Sequence, residues 1–204
     1  MAFSNILVEQ QVETSIARVT LNRPEHRNRM SLDTLAELRE AFTALGAEED
    51  IKVVILTGSG KSFVSGGDTD FFLNTRTHFD NRDYLLTLYK TFNIIEKLAQ
   101  PVIAAVNGWA IGAGAELVAS CDYAYAAESA RFSMPECHMG MVSNIQAALF
   151  PHYASIGRIR EWLYTGEAID AREAEKWGLV NRVLPDAELQ EAVLASARKI
   201  AASP

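Results

Sequence analysis

A chain of 204 residues with 49% apolar and 22% charged content can build a core and fits one domain, 1–204, rather than several. Its formal net charge of −7, from 19 Lys and Arg against 26 Asp and Glu, argues against a general binder of nucleic acid or anionic membrane, though not against a local basic pocket for a phosphorylated ligand. Two cysteines, Cys121 and Cys137, do not make a disulfide framework, and with no signal-like N-terminus and no apolar run long enough for a bilayer the expected setting is the cytoplasm.

Ile6 to Gln11 and Ile16 to Leu21 read as two strands, and Thr14-Ser15 between them suits a hairpin. The polar segment Arg23 to Arg29 carries three arginines and fits either a solvated loop or a phosphate-holding one. Ser31 is an N-cap type, and Leu32, Leu35, Leu38, Phe42 and Leu45 mark one face of a helix closed near Gly46. Val53 to Leu56 is an apolar strand running into Gly60-Lys61-Ser62; a phosphate-binding P-loop would need glycine at position 55, which is Ile55, so that reading fails. Ser65-Gly66-Gly67-Asp68 is a small-residue turn, with Asp68 placed to cap a short helix toward Phe72. Thr75 to Asp83 is polar and expected as a loop, and Tyr84 to Leu98 as a helix.

Val102 to Val106 has the composition of a strand buried on both faces. Asn107-Gly108 breaks it, the small residues Ala110 to Ala115 follow, and an apolar helical pattern starts at Glu116. This stretch is compatible with a turn packed in the core, Glu116 being favoured by the helix dipole, and equally with a helix start whose free N–H groups meet developing negative charge. Downstream, Tyr123 to Ala126 is a strand and Arg131 to Glu136 an extended piece ending in a carboxylate. Helices are expected at Ile145 to Tyr153, Ile156 to Tyr164, Ala171 to Trp177 and from a cap at Asp186 to Ile200, with a last strand at Leu179 to Val183. Strands alternating with helices from residue 51 onward imply βαβ units and a mostly parallel sheet.

The turns ending at Gly67 and near Ala113 repeat one design, and two such backbone donors can make an oxyanion hole. Glu116 and Glu136 each follow a turn or strand; facing one pocket, one can serve as base and the other as acid. The histidines show no paired metal spacing, and no serine sits in a nucleophile elbow.

In ordered sum these segments resemble the enoyl-CoA hydratase/isomerase (crotonase) family. The matching motifs are Leu21 to Pro24, Ile55 to Phe63 with Ser65 to Asp68, Ala104 to Gly108 on to Glu116-Leu117, Cys121-Asp122, Ala130 to Glu136, and Leu163 to Gly166 on to Val180. The resemblance implies an α/β fold of repeated ββα units, two roughly perpendicular sheets surrounded by helices. It implies an acyl-CoA thioester substrate with coenzyme A carried as part of it, no further cofactor, no metal, and no nucleic-acid or membrane partner. By motif position the backbone N–H groups of Gly67 and Ala113 polarise the thioester carbonyl, Gly66, Asp68, Gly112 and Asn144 contact substrate, and Glu116 and Glu136 are the catalytic pair. Hydratases of the family carry both glutamates and isomerases commonly only the later one, so hydration of an enoyl-CoA is expected. A double-bond isomerase, another acyl-CoA hydrolase of the family, or a non-catalytic acyl-CoA-binding subunit are the alternatives. The chain departs from the family at Ser143 to Ala147, where hydratases have a glycine-rich run. The resemblance also implies a homotrimer or dimer of trimers, with the C-terminal helical trimerisation region apparently truncated or absent.

Overall fold

A computed structural model describes residues 3–74, 78–143 and 147–203. The hairpin forms as expected: β1 (Ile6–Gln11) pairs antiparallel with β2 (Ile16–Leu21), in register from Ile6 opposite Leu21 to Gln11 opposite Ile16. Helix α1 (Leu32–Gly46) follows, its N-terminus capped by Ser31, whose hydroxyl accepts from the Thr34 N–H at 3.2 Å. Strand β3 (Val53–Gly58) pairs parallel with β2, and the short β4 (Ser62–Val64) leaves it for a second sheet. Helices α2 (Thr69–Asn74) and α3 (His78–Glu96) come next. The loop expected over Thr75 to Asp83 is therefore helical from His78, while 75–77 lie outside the described residues.

Strand β5 (Val102–Val106) lies beside β3, and β6 (Trp109–Ile111) pairs with β4. Helix α4 (Ala113–Ala119) begins three residues before Glu116, and β7 (Tyr123–Ala127) returns to β5. Strand β8 (Arg131–Ser133), α5 (Ile156–Thr165), β9 (Ile169–Asp170), α6 (Ala171–Trp177), β10 (Arg182–Leu184) and α7 (Leu189–Ala201) complete the order. Ala147–His152 is a short 3-10 turn where an α-helix was expected, with Pro151 inside it denying the backbone a donor. Asp186 does not cap α7: its carboxylate turns to Ser129, whose side chain and whose N–H, at 3.1 Å, hold it below the usual carboxylate range.

Two sheets result, six-stranded in the order β1-β2-β3-β5-β7-β10 and four-stranded in the order β4-β6-β8-β9. The unbroken apolar run of β3 is explained by burial on both faces. Val53 and Ile55 pack with Ile103, Leu189 and Val193 under α7, whereas Val54 and Leu56 face the larger core with Leu38, Phe42 and Phe92 from α1 and α3. Glycine brings the two sheets and α4 close together. A methyl on Gly108 would lie 2.1 Å from the Lys61 carbonyl, and one on Gly114 would lie 2.4 Å from the Val64 carbonyl. Gly114→Ala is accordingly expected to destabilise the fold by about 1–3 kcal/mol through overpacking, read as a lowered denaturant midpoint.

Candidate active site

The small sheet positions the site. Strands β4, β6 and β8 run parallel, so their C-terminal ends open on the same side, where ligands of parallel sheets bind. From those ends issue Ser65-Gly66-Gly67, Gly112-Ala113 and Pro135-Glu136. All of these residues, with Glu116, line one cavity of ≈ 460 Å³, whose apolar wall includes Phe72, Leu85, Leu88 and Val142.

The direction of the two proposed donors follows from peptide planarity. In a trans peptide the C=O and the next N–H point opposite ways. The Gly66 carbonyl accepts from the Met30 N–H at 3.0 Å, so the Gly67 N–H points away from Met30. The Gly112 carbonyl accepts from the Glu116 N–H at 3.1 Å along α4, so the Ala113 N–H points out of the helix start. Among the described residues neither N–H has a protein acceptor. Gly112 holds φ +51 and ψ −114, a conformation open only to glycine. Its N–H is spent on the Ser133 carbonyl at 2.7 Å, which ties β6 to β8 beside the site.

The two carboxylates stand differently. Glu116, 2% exposed, presents Oε1 to the Ala147 N–H at 3.1 Å. Glu136 is half-buried on a 3-10 turn spanning Pro135–Met139, and its Oε2 accepts from the Ser143 hydroxyl at 3.2 Å. Its other oxygen lies against Gly112, where a methyl would come within 2.4 Å of Oε1. Burial pushes the Glu136 carboxyl above the usual carboxylate range, while its own backbone N–H and Ser143 pull the other way.

Of the residues singled out in the sequence, Gly66, Gly67, Gly112, Ala113, Glu116 and Glu136 thus share the cavity. Asp68 is placed otherwise. Its carboxylate caps α2 through the Asp70 N–H at 3.2 Å and faces Arg29 at 3.5 Å, so it supports the loop from behind instead of lining the cavity. Asn144 lies outside the described residues. Sequence reasoning missed Ser143 as the partner of Glu136 and the apolar wall from α3, whose spacing signals only a helix face. A second cavity of ≈ 680 Å³, lined by Arg27, Lys61 and Trp109, shares Ser65 and Ile111 with the first. Among the described residues no group of three or more His, Cys, Asp or Glu is placed to hold a metal, and no helix is long and apolar enough to cross a membrane.

Known proteins similar to this chain fall in one family. The family described as enoyl-CoA hydratase/isomerase matches residues 11–204. The crotonyl-CoA hydratase of Syntrophomonas wolfei is 39% identical over 191 residues, 93% of this chain and 72% of that protein. The short-chain-enoyl-CoA hydratase of Clostridium acetobutylicum is 35% identical over 98% of this chain and 76% of its own length. The crystal structure of an enoyl-CoA hydratase from Bacillus anthracis superposes with a TM-score of 0.94 at 36% identity, covering 98% of this chain and 78% of the other.

Proposed function

This chain belongs to the enoyl-CoA hydratase/isomerase family, and from that premise we infer that it is an enoyl-CoA hydratase, a hydro-lyase that adds water across the 2,3 double bond of an enoyl-CoA thioester. The observation that carries the mechanism is that two carboxylates and two unengaged backbone N–H groups line one cavity.

In this reading the thioester carbonyl oxygen sits between the Gly67 and Ala113 N–H groups. Water sits between Glu116 and Glu136. Glu116 takes a proton from the water as its oxygen bonds to the β-carbon. The π electrons move toward the thioester, where the enolate-like charge meets the two N–H donors. Glu136, whose burial favours the protonated form, delivers its proton to the α-carbon, and the product is a 3-hydroxyacyl-CoA. Glu116 then carries the proton that Glu136 has lost, and exchange with solvent restores both. No cofactor beyond the coenzyme A of the substrate is required. The apolar wall of Phe72, Leu85 and Leu88 takes the acyl chain, and the adjoining cavity with Arg27 and Lys61 takes the phosphate-bearing end of coenzyme A.

We place the enzyme in the cytoplasm, in keeping with the free thiols of Cys121 and Cys137, and as a homotrimer or dimer of trimers, to be tested by particle mass in solution. The activity itself is tested by following 2-enoyl-CoA thioesters of several chain lengths through loss of the conjugated absorbance; acyl-CoA binding with no such loss at any length would leave only a binding subunit.

A pH prediction follows from Ser143. Its hydroxyl favours the charged form of Glu136, so Ser143→Ala raises the Glu136 pKa further. An acid that works protonated loses activity as pH rises through its pKa. The alkaline limb of kcat against pH is therefore expected to move to higher pH in Ser143→Ala, and a limb that moved down would contradict the acid assignment of Glu136.

A further inference from the structure

The loop that carries Gly67 is held from one side by a buried phenol that the reaction itself does not use. Tyr84, on α3, is 1% exposed. Its hydroxyl donates to the Met30 carbonyl and accepts from the Asp68 N–H at 2.7 Å. Met30 in turn donates its own N–H to the Gly66 carbonyl at 3.0 Å. The Gly66–Gly67 peptide is thus closed into a ring of hydrogen bonds running Gly66 carbonyl, Met30, Tyr84 hydroxyl, Asp68 N–H. Burial pushes the phenol well above its ordinary range, so it stays a hydroxyl that can donate and accept at once. The ring is stacked on Phe71 at 4.8 Å and meets Phe72 edge-on at 5.0 Å, which fixes the oxygen in place. A methyl on Gly67 would lie 3.1 Å from that oxygen, so the hydroxyl touches the loop at the donor residue.

We propose that Tyr84 is a positioning residue for the oxyanion hole: its hydroxyl is the spacer that keeps the Gly67 N–H turned into the cavity. Met30 and Gly67 already face each other as a parallel bridge. Without the hydroxyl, the buried Met30 carbonyl and the part-buried Asp68 N–H lose the partner they share, and the way to satisfy both is to pair with each other. That draws the loop toward Met30 and withdraws the Gly67 N–H from the carbonyl it polarises. Tyr84 also stands next in sequence to Leu85 and one turn from Leu88, both on the acyl wall, so the helix that grips the chain also sets the donor.

The proposal rests on the oxyanion role of Gly67, and its test separates the two. Butyryl-CoA, saturated and inert to hydration, carries a thioester carbonyl whose infrared stretch reports polarisation on binding. Wild-type protein is expected to lower that frequency. Tyr84→Phe is expected to return part of the shift and to lower kcat by about tenfold with KM nearly unchanged, since one of two donors is displaced but not lost and full loss of a donor costs ~10²–10³. A full wild-type shift retained in Tyr84→Phe overturns the role of Tyr84 and leaves the hole standing. No shift in the wild type overturns the hole itself, and the proposal with it. Should Tyr84→Phe not fold, 3-fluorotyrosine at position 84 keeps ring and hydroxyl but weakens the oxygen as acceptor; a partial return of the shift supports the proposal and an unchanged band contradicts it.

Discussion

Glu116→Gln and Glu136→Gln are each expected to lower kcat for hydration by about 10²–10⁴, the range for loss of a positioned acid or base, with KM changed far less. The substitution keeps shape and most hydrogen bonding. A glutamine at 116 still offers Oε1 to the Ala147 N–H, and one at 136 still pairs with the Ser143 hydroxyl, so both variants should fold. Because both carboxylates act on one water, their losses should not add: the double variant is expected to be little worse than the poorer single one. Steady-state kinetics with crotonyl-CoA decides the matter, and turnover within a few-fold of wild type in either variant would sink the two-glutamate mechanism. The same variants separate hydration from double-bond isomerisation. An isomerase working through Glu136 alone would still convert a 3-enoyl-CoA to the conjugated product in Glu116→Gln.

Gly112→Ala is the second large effect. Gly112 sits at φ +51 and ψ −114, and a methyl there would stand 2.4 Å from Glu136 Oε1. The carboxylate lies at the far end of a side chain and can yield, but only by leaving its position over the cavity. A displacement of about 1 Å at a reacting group costs ~10² in rate, and kcat is expected to fall by at least that much. The backbone strain adds a stability loss of about 1–3 kcal/mol. The two are told apart by measuring kcat at a temperature where the variant is still fully folded. A variant that is less stable but turns over normally would show that Glu136 works from another position.

How much of this is legible in the sequence depends on the length over which a signal repeats. The strands at Val53 and Val102 show as unbroken apolar runs between turn signals, and the helix from Leu32 is long enough for its periodicity to declare it. The small sheet is not. Trp109–Ile111 and Ile169–Asp170 are two or three residues long, below any window in which alternation can be read, and Ser62–Val64 looks like the end of a turn. Yet Ser62–Val64 and Trp109–Ile111 aim the site. The first turn of α3 was misread as a loop because His78 to Asp83 lacks an apolar stripe, with Asp80, Arg82 and Asp83 facing solvent. Gly66, Gly67, Glu116 and Glu136 could be named from their local settings and from resemblance. That Glu136 lies on Gly112, that Asp68 turns to Arg29, and that Tyr84 ties Met30 to Asp68 are contacts between segments far apart in the chain, which no local pattern encodes.

The central claim, that this cavity adds one water to an enoyl thioester, is tested most directly by turning over crotonyl-CoA in water enriched in heavy oxygen and reading the product by mass. The account predicts an intact coenzyme A thioester heavier by one labelled water, with the label on the β-carbon hydroxyl. Free coenzyme A with the label in a carboxylate, or an unlabelled thioester of unchanged mass, would contradict it.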